Sequence, residues 1–290
     1  MEDKGILFYS NNPYPIPLLV VAIYSLRKYY DGRIHVVFGA NTPDSFKRTF
    51  SRNKMEGITF ADVSKKHYTG RASNSLSKEW YEKPFIIQHE SPFELTQYYD
   101  CDHVFYQPFN HDIFDLINKH DLVTAMEIVE PSRAATIKKE IKEAVGLEIE
   151  YLNRVNGGCV GYKKSSEKIN IWTDYLCKYR AYNNPRSKIK YNAEEFGLAT
   201  TIALGHGKII DSRWSYCYPK MRKAMTESDG NWAIHFVASR WTKGTFWLES
   251  FKEAYDVDFF QTKSNFKRYK SYNPFIKDKE SVNFIKGKLK

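Results

Sequence analysis

The densest chemistry in this chain is an acidic pair, Asp100-Cys101-Asp102, closing the run ELTQYYDCD. With residues 94–100 read as a strand, positions i and i+2 share one face, ~6.5–7 Å apart along the chain. Two carboxylates so placed can share one hard cation, one directly and the other through water or a ligand hydroxyl. The bland alternative is a solvated acidic turn. A second group, Asn156-Gly157-Gly158, enters a strand over residues 155–162. Glycine there lets a ligand come close to the backbone, or equally marks a bulge or packing point. Glu194-Glu195 open a helix over residues 192–204, where acids also simply complement the helix dipole. His235 closes the AIHFV strand, residues 232–237, ahead of a loop carrying Arg240, Trp241 and Lys243. It can ligate a metal while Arg240 and Lys243 meet phosphates, or be a satisfied core histidine.

The elements that must position these groups alternate from the start. Residues 6–10 form a short apolar run stopped by Asn11-Asn12-Pro13, a turn signal. Pro17 suits the first turn of a helix over 18–30, and Asp31-Gly32 closes it. The runs 34–40 and 58–63 read as strands flanking a short polar helix. Strand, helix, strand, helix, strand with short connections predicts a parallel sheet covered by helices. Further helices are expected over 77–90 despite Pro84, and over 108–120, 132–145 and 167–180, with a strand at 208–210. Ile137, Ile141 and Val145 make one apolar stripe, and Ile169, Trp172, Leu176 and Tyr179 another. In an open α/β sheet ligands bind at the carboxyl ends of strands, where Ser10, Asn11 and Asp100 fall. The simplest partition is one domain over 1–250 and a C-terminal extension over 251–290.

Composition narrows the class. Across 290 residues, 42% hydrophobic and 27% charged suits a chain that buries a core, not a disordered one. No apolar run approaches the ~18–20 residues of a membrane span. The acidic start, with too short an apolar stretch for a signal peptide, leads us to expect a cytoplasmic protein. Cys101, Cys159, Cys177 and Cys217 are then expected as reduced thiols, and their spacing fits no zinc finger or ribbon. The formal charge of +10 is uneven: residues 261–290 carry nine Lys/Arg against Asp278 and Glu280, a net +7 that leaves +3 elsewhere. With Phe266, Tyr269, Tyr272, Phe275 and Phe284 interleaved, this tail can meet an anionic surface, or pack on the protein itself.

Taken in order, these groups resemble the glycosyltransferase A fold, and within it the family-8 retaining transferases of the glycogenin and bacterial galactosyltransferase type. The likeness runs from about residue 6 to residue 247. KPFIIQHESPFELTQYYDCD is similar to the family's Lys-Pro helix, Ser-Pro-Phe and strand into Asp-x-Asp. VNGGCVGYKKS is similar to its Asn-Ser/Gly-Gly strand, and AIHFVASRWTKGTFW to its closing His-Phe segment. That segment in the family has Gly three and Lys six residues after the His; here Ala238 and Trp241 stand there.

The resemblance implies an α/β fold with a mostly parallel central sheet, helices on both faces and a Rossmann-like plan. It implies a metal-dependent transfer of a sugar from a nucleotide-diphosphate sugar to an acceptor hydroxyl, with retention. Asp100, Asp102 and His235 would bind Mn²⁺ or Mg²⁺, and Ser10 and Asn11 would lie at the nucleobase. Lys83, Asn156, Gly157 and Gly158 would border the donor, and Glu194 or Glu195 the reacting carbon. The donor is expected to be a UDP-sugar, or else a GDP-sugar, and the acceptor a glycan, glycoprotein or lipid. By its charge and aromatics, which lie beyond the resemblance, the tail is expected to contact an anionic membrane peripherally. Inversion would need a carboxylate base and retention a shielded sugar face, and Glu194/Glu195 suit either.

Two other classes compete. A nucleic-acid-binding protein would carry its charge on the folded body, which is nearly neutral here, so no nucleic-acid partner is expected. A sugar nucleotidyltransferase would have a glycine-rich phosphate loop after the first strand, and FYSNNPYP contains no glycine.

Overall fold

A computed structural model describes residues 3–13, 15–53, 55–66, 78–126, 131–218, 232–236, 245–268, 283 and 287. Strand β1 (Lys4–Ser10) leads to α1 (Pro15–Arg27), β2 (Ile34–Phe38), α2 (Asp44–Arg52) and β3 (Ile58–Asp62). Helix α3 (Lys78–Glu90) precedes β4 (Leu95–Tyr99) and a short β5 (His103–Phe105). Then come α4 (Asp112–His120), β6 (Leu122–Met126), α5 (Pro131–Val145), β7 (Val155–Lys163), α6 (Lys168–Ala181), α7 (Lys188–Tyr191) and α8 (Ala193–Ala203). The chain continues through β8 (Lys208–Ile210), β9 (Tyr216–Tyr218), β10 (Ala233–Phe236), α9 (Thr245–Asp256) and α10 (Thr262–Arg268).

The main sheet has seven strands in the order β3-β2-β1-β4-β7-β6-β8 and is mostly parallel, with helices around it. Strand β7 is the reversed one, antiparallel to both β4 and β6. The expected α/β architecture is what the chain forms. A second sheet of three short strands, β5-β10-β9, lies outside that expectation. The sequence pattern did not locate β5, β6 and β9.

Several boundaries moved for local reasons. Ile16 is extended (φ −98°, ψ 128°), because the residue before a proline avoids the helical region, so the regular helix begins at Pro17. That helix stops at Arg27, whose Nη1 donates to the Tyr30 carbonyl at 3.0 Å and to the Gly32 carbonyl at 2.6 Å. Helix α4 starts at Asp112, after the Pro108 segment rather than on it. Strand β4 ends at Tyr99, so Asp100-Cys101-Asp102 is a turn and not the strand end expected. The chain turns there because the next residues leave the main sheet to pair with β10, and the His103 N–H donates to the Asp100 carbonyl at 3.3 Å.

The residues group into two compact units. Unit 1 comprises Met1–Leu7, Lys66–Tyr99 and His111–Ser215; unit 2 comprises Phe8–Lys65, Asp100–Asn110 and Tyr216–Lys290. In unit 1, β4 is buried along its length despite Thr96 and Gln97. The Ser91 and Thr96 hydroxyls lie 2.6 Å apart, and Gln97 Nε2 donates to the Tyr98 carbonyl at 2.9 Å. The same unit packs Ile137, Ile141, Leu176, Tyr179, Ile189, Ala193 and Phe196 into one apolar cluster. Two stripes foreseen from spacing thus meet there.

In unit 2 the core is aromatic. Phe38 of β2 sits 5.2 Å from Phe50 of α2, and Phe50 stacks on Phe260 at 4.5 Å. Trp247 and Phe251 of α9 are buried and stack at 5.3 Å. Thr262 and Asn265 of α10 are buried too, and Asn265 Nδ2 donates to the Phe260 carbonyl at 3.0 Å. Residues 251–268 therefore pack into this unit. Among the described residues no helix is long and apolar enough to cross a membrane, and none of the four cysteines forms a disulfide.

Candidate metal and donor site

The acidic turn after β4 faces the strand that carries His235. His235 Nε2 lies 3.0 Å from Asp102 Oδ1 and 3.7 Å from Asp100 Oδ2. The two carboxylates thus converge on one imidazole through a turn, not through strand alternation. Strand β10 pairs with β5 antiparallel, and the register sets His235 directly across from His103. Their rings stack with centroids 4.3 Å apart and 14° between planes. Asp102, His103 and His235 each offer a ligand atom, all within 4.8 Å of one another. Sequence reasoning missed His103. Its signal was adjacency to Asp102, but only the β5–β10 register sets it opposite His235.

This donor set suits a divalent cation. It combines hard carboxylate oxygens with imidazole nitrogens, at separations that one ion can span. Both histidines are buried, His103 to 1% exposure and His235 to 6%. Burial alone would lower the His235 pKa. The Asp102 carboxylate beside it, with a hydrogen bond to Asp102 and another to Cys217, outweighs that and holds it well above the ordinary value. Burial, then the neighbouring Asp100 and Asp102, push the Cys101 thiol well above its usual range. Cys101 is a neutral donor, its Sγ 3.3 Å from the Tyr9 carbonyl, and it ties the acidic turn to the end of β1.

The end of β1 belongs to the same unit. Asn11 Oδ1 accepts from the Asn41 N–H at 2.8 Å, and Thr42 Oγ1 donates to the Ser10 carbonyl at 2.6 Å. Gly39 lies against Asn11 so closely that a Cβ there would overlap the Asn11 side chain. Ser10 is buried, and its Oγ has no hydrogen-bond partner among the described residues.

The remaining sequence candidates gather within unit 1. Lys83 Nζ of α3 lies 3.1 Å from Glu194 Oε1 of α8 and donates to the Gly157 carbonyl of β7 at 3.1 Å. A Cβ on Gly157 would overlap the Glu194 carboxylate, so the missing side chain makes room for that acid. Trp172 Nε1 donates to the Glu194 carbonyl at 2.9 Å, which fastens α6 to the start of α8. Asn156 accepts on Oδ1 from the Gly158 N–H at 2.8 Å and donates through Nδ2 to Ser215 Oγ at 2.7 Å. Glu195 is partly exposed, with its Oε2 3.6 Å from Arg154 Nη2. Arg240 and Lys243 lie outside the described residues.

The fold these elements make is one that solved glycosyltransferase structures share. It is similar to mouse xyloside xylosyltransferase 1 in its apo form, with a TM-score of 0.53 and 12% sequence identity over 82% of this chain and 99% of that one. It is also similar to the apo structure of the bifunctional glycosyltransferase WbbM, with a TM-score of 0.59 and 9% identity over 88% of this chain and 51% of that one. No family model matches the sequence, and no curated protein matches it either. At such identities the shared feature is the fold.

Proposed function

We propose that this chain is a metal-dependent glycosyltransferase that moves a sugar from a nucleotide-diphosphate sugar to an acceptor hydroxyl, with retention. The observation that carries it is the convergence of Asp100, Asp102, His103 and His235 within a glycosyltransferase fold. Mn²⁺ or Mg²⁺ held there would stabilise the negative charge that develops on the leaving diphosphate. The chain's own groups do the rest. Asn11, pinned against Gly39 and Asn41, offers a rigid edge for a nucleobase, with uracil favoured over guanine. Cys101 couples that edge to the acidic turn through the Tyr9 carbonyl.

Lys83, Asn156, Gly157 and Gly158 are proposed to border the donor sugar, with Glu194 or Glu195 at its reacting face. Both carboxylates already face cations, Lys83 and Arg154. That arrangement fits shielding of a sugar face better than removal of an acceptor proton, and so supports retention over inversion. Arg240 and Lys243 are proposed to meet the phosphates. The basic residues beyond 268 are proposed to engage a glycan, glycoprotein or lipid acceptor at an anionic surface.

The test is a panel of UDP- and GDP-sugars incubated with the protein and Mn²⁺, scored for slow donor hydrolysis without an acceptor. Release of one nucleoside diphosphate, abolished by EDTA, is expected. Full turnover in EDTA would sink the metal-dependent reading, and inertness toward every donor would sink the transferase reading.

A further inference from the structure

We infer that His103 is itself a metal ligand, and that the resulting two-imidazole site selects first-row transition ions over Mg²⁺ and Ca²⁺. This rests on the metal-dependent reading above and deepens it. Three observations on the residues carry it. The β5–β10 register puts His103 directly across from His235, so both side chains leave paired strands on one face. A ligand atom of His103 lies within 4.8 Å of those of Asp102 and His235. The third concerns the ring's outer side. His103 Nδ1 sits 2.9 Å from the Asp100 backbone carbonyl, an oxygen that can only accept, so Nδ1 carries the proton and Nε2 the lone pair. A ring N–H on a backbone carbonyl is the usual support of a metal-bound histidine, since it fixes both tautomer and orientation.

The turn that breaks the strand after Tyr99 therefore has a chemical consequence. It delivers Asp102 and, one residue later, an imidazole to the same point, while the Asp100 backbone orients that imidazole. A site of carboxylates with one histidine would serve Mg²⁺ and Mn²⁺ alike. Two buried imidazoles tilt it toward later first-row ions such as Co²⁺ and Zn²⁺, because imidazole nitrogen suits these while Mg²⁺ and Ca²⁺ take oxygen donors. The competing role for His103 is purely packing, as the ring that stacks on His235 and lies 6.3 Å from Phe105.

The full chain loaded with Cu²⁺ distinguishes the two by pulsed electron paramagnetic resonance, which counts coordinated imidazoles. Two are expected. A second arm titrates Co²⁺ by its visible absorption in competition with Mg²⁺. His103→Phe keeps a stacking ring but removes the donor, and His103→Asn is a smaller replacement should the first fail to fold. Either is expected to lose at least about tenfold in Co²⁺ affinity, the lower end of what loss of even a supporting partner costs a site. Mg²⁺ binding should change little. A single imidazole in the unaltered protein, or unchanged Co²⁺ affinity in a folded variant, overturns the assignment and leaves the metal-dependent transferase standing. Failure of the unaltered protein to bind any divalent ion overturns both.

Discussion

Asp102 stands 3.0 Å from His235 and within ligand reach of His103, so it belongs to every metal geometry this site allows. Asp102→Ala should abolish metal-dependent nucleotide binding, which calorimetry with and without Mn²⁺ would show; equal affinity in the two proteins would remove Asp102 from the site. The neighbouring imidazole sets a pH dependence. Asp102 and Cys217 hold the His235 pKa above its ordinary value against the opposing effect of burial, and a cation can bind the ring only after its proton leaves. Below that raised pKa, metal affinity should fall by about tenfold per pH unit, one proton released per ion bound; above it, the affinity should level off. Metal titrations at stepped pH in non-coordinating buffers would read the slope. A flat profile across the mildly acidic and neutral range would mean that His235 is not a ligand.

Between elements, the decisive contact is Lys83 of α3 with Glu194 of α8, both about nine-tenths buried, over the Gly157 carbonyl of β7. Removing one partner of a buried pair strands the other charge, at about 3–5 kcal/mol, whereas replacing both by apolar groups is often neutral. Lys83→Met should therefore unfold at clearly lower denaturant, and the Lys83→Met/Glu194→Leu double variant should recover most of that loss. Additive losses in the double variant would show that the pair does not act as a unit. Gly157→Ala tests the same junction from the strand. Its Cβ would displace the Glu194 carboxylate, and overpacking of that kind costs about 1–3 kcal/mol, readable in the same urea series. A variant as stable as the parent would mean that Glu194 relocates without penalty.

For the molecule as a whole, the C-terminal charge divides at the end of α10. Residues 269–290 hold six of the nine tail cations against both acids, a net +4, while residues 261–268 hold the other three. The latter stretch includes buried Thr262 and Asn265, and Thr49 Oγ1 lies 3.5 Å from Asn265 Oδ1. Deleting 261–290 should then lower the melting temperature, whereas deleting 269–290 should leave both it and nucleotide affinity unchanged. The shorter deletion should also weaken binding to anionic vesicles, most visibly at low ionic strength, since each surface cation contributes ~1 kcal/mol and salt screens it. Vesicle binding that survives the deletion would clear the tail of that role.

What the sequence determined by itself is what local physics controls. Apolar periodicity and proline and glycine punctuation located most helices and strands, because each such signal is complete within a few residues. The alternation of those elements was enough to imply the α/β sheet. Residue chemistry at expected strand ends singled out Asp100, Asp102 and His235, three groups that converge in space. Tertiary structure alone decided how they converge. It made Asp-x-Asp a turn, set His103 opposite His235, and filled the space beside Gly157 with the Glu194 carboxylate. Each of these depends on register or packing between segments far apart in the chain. A one-residue slip of β5 against β10 would turn His103 to the other face, and nothing in the neighbouring residues of either strand encodes that pairing.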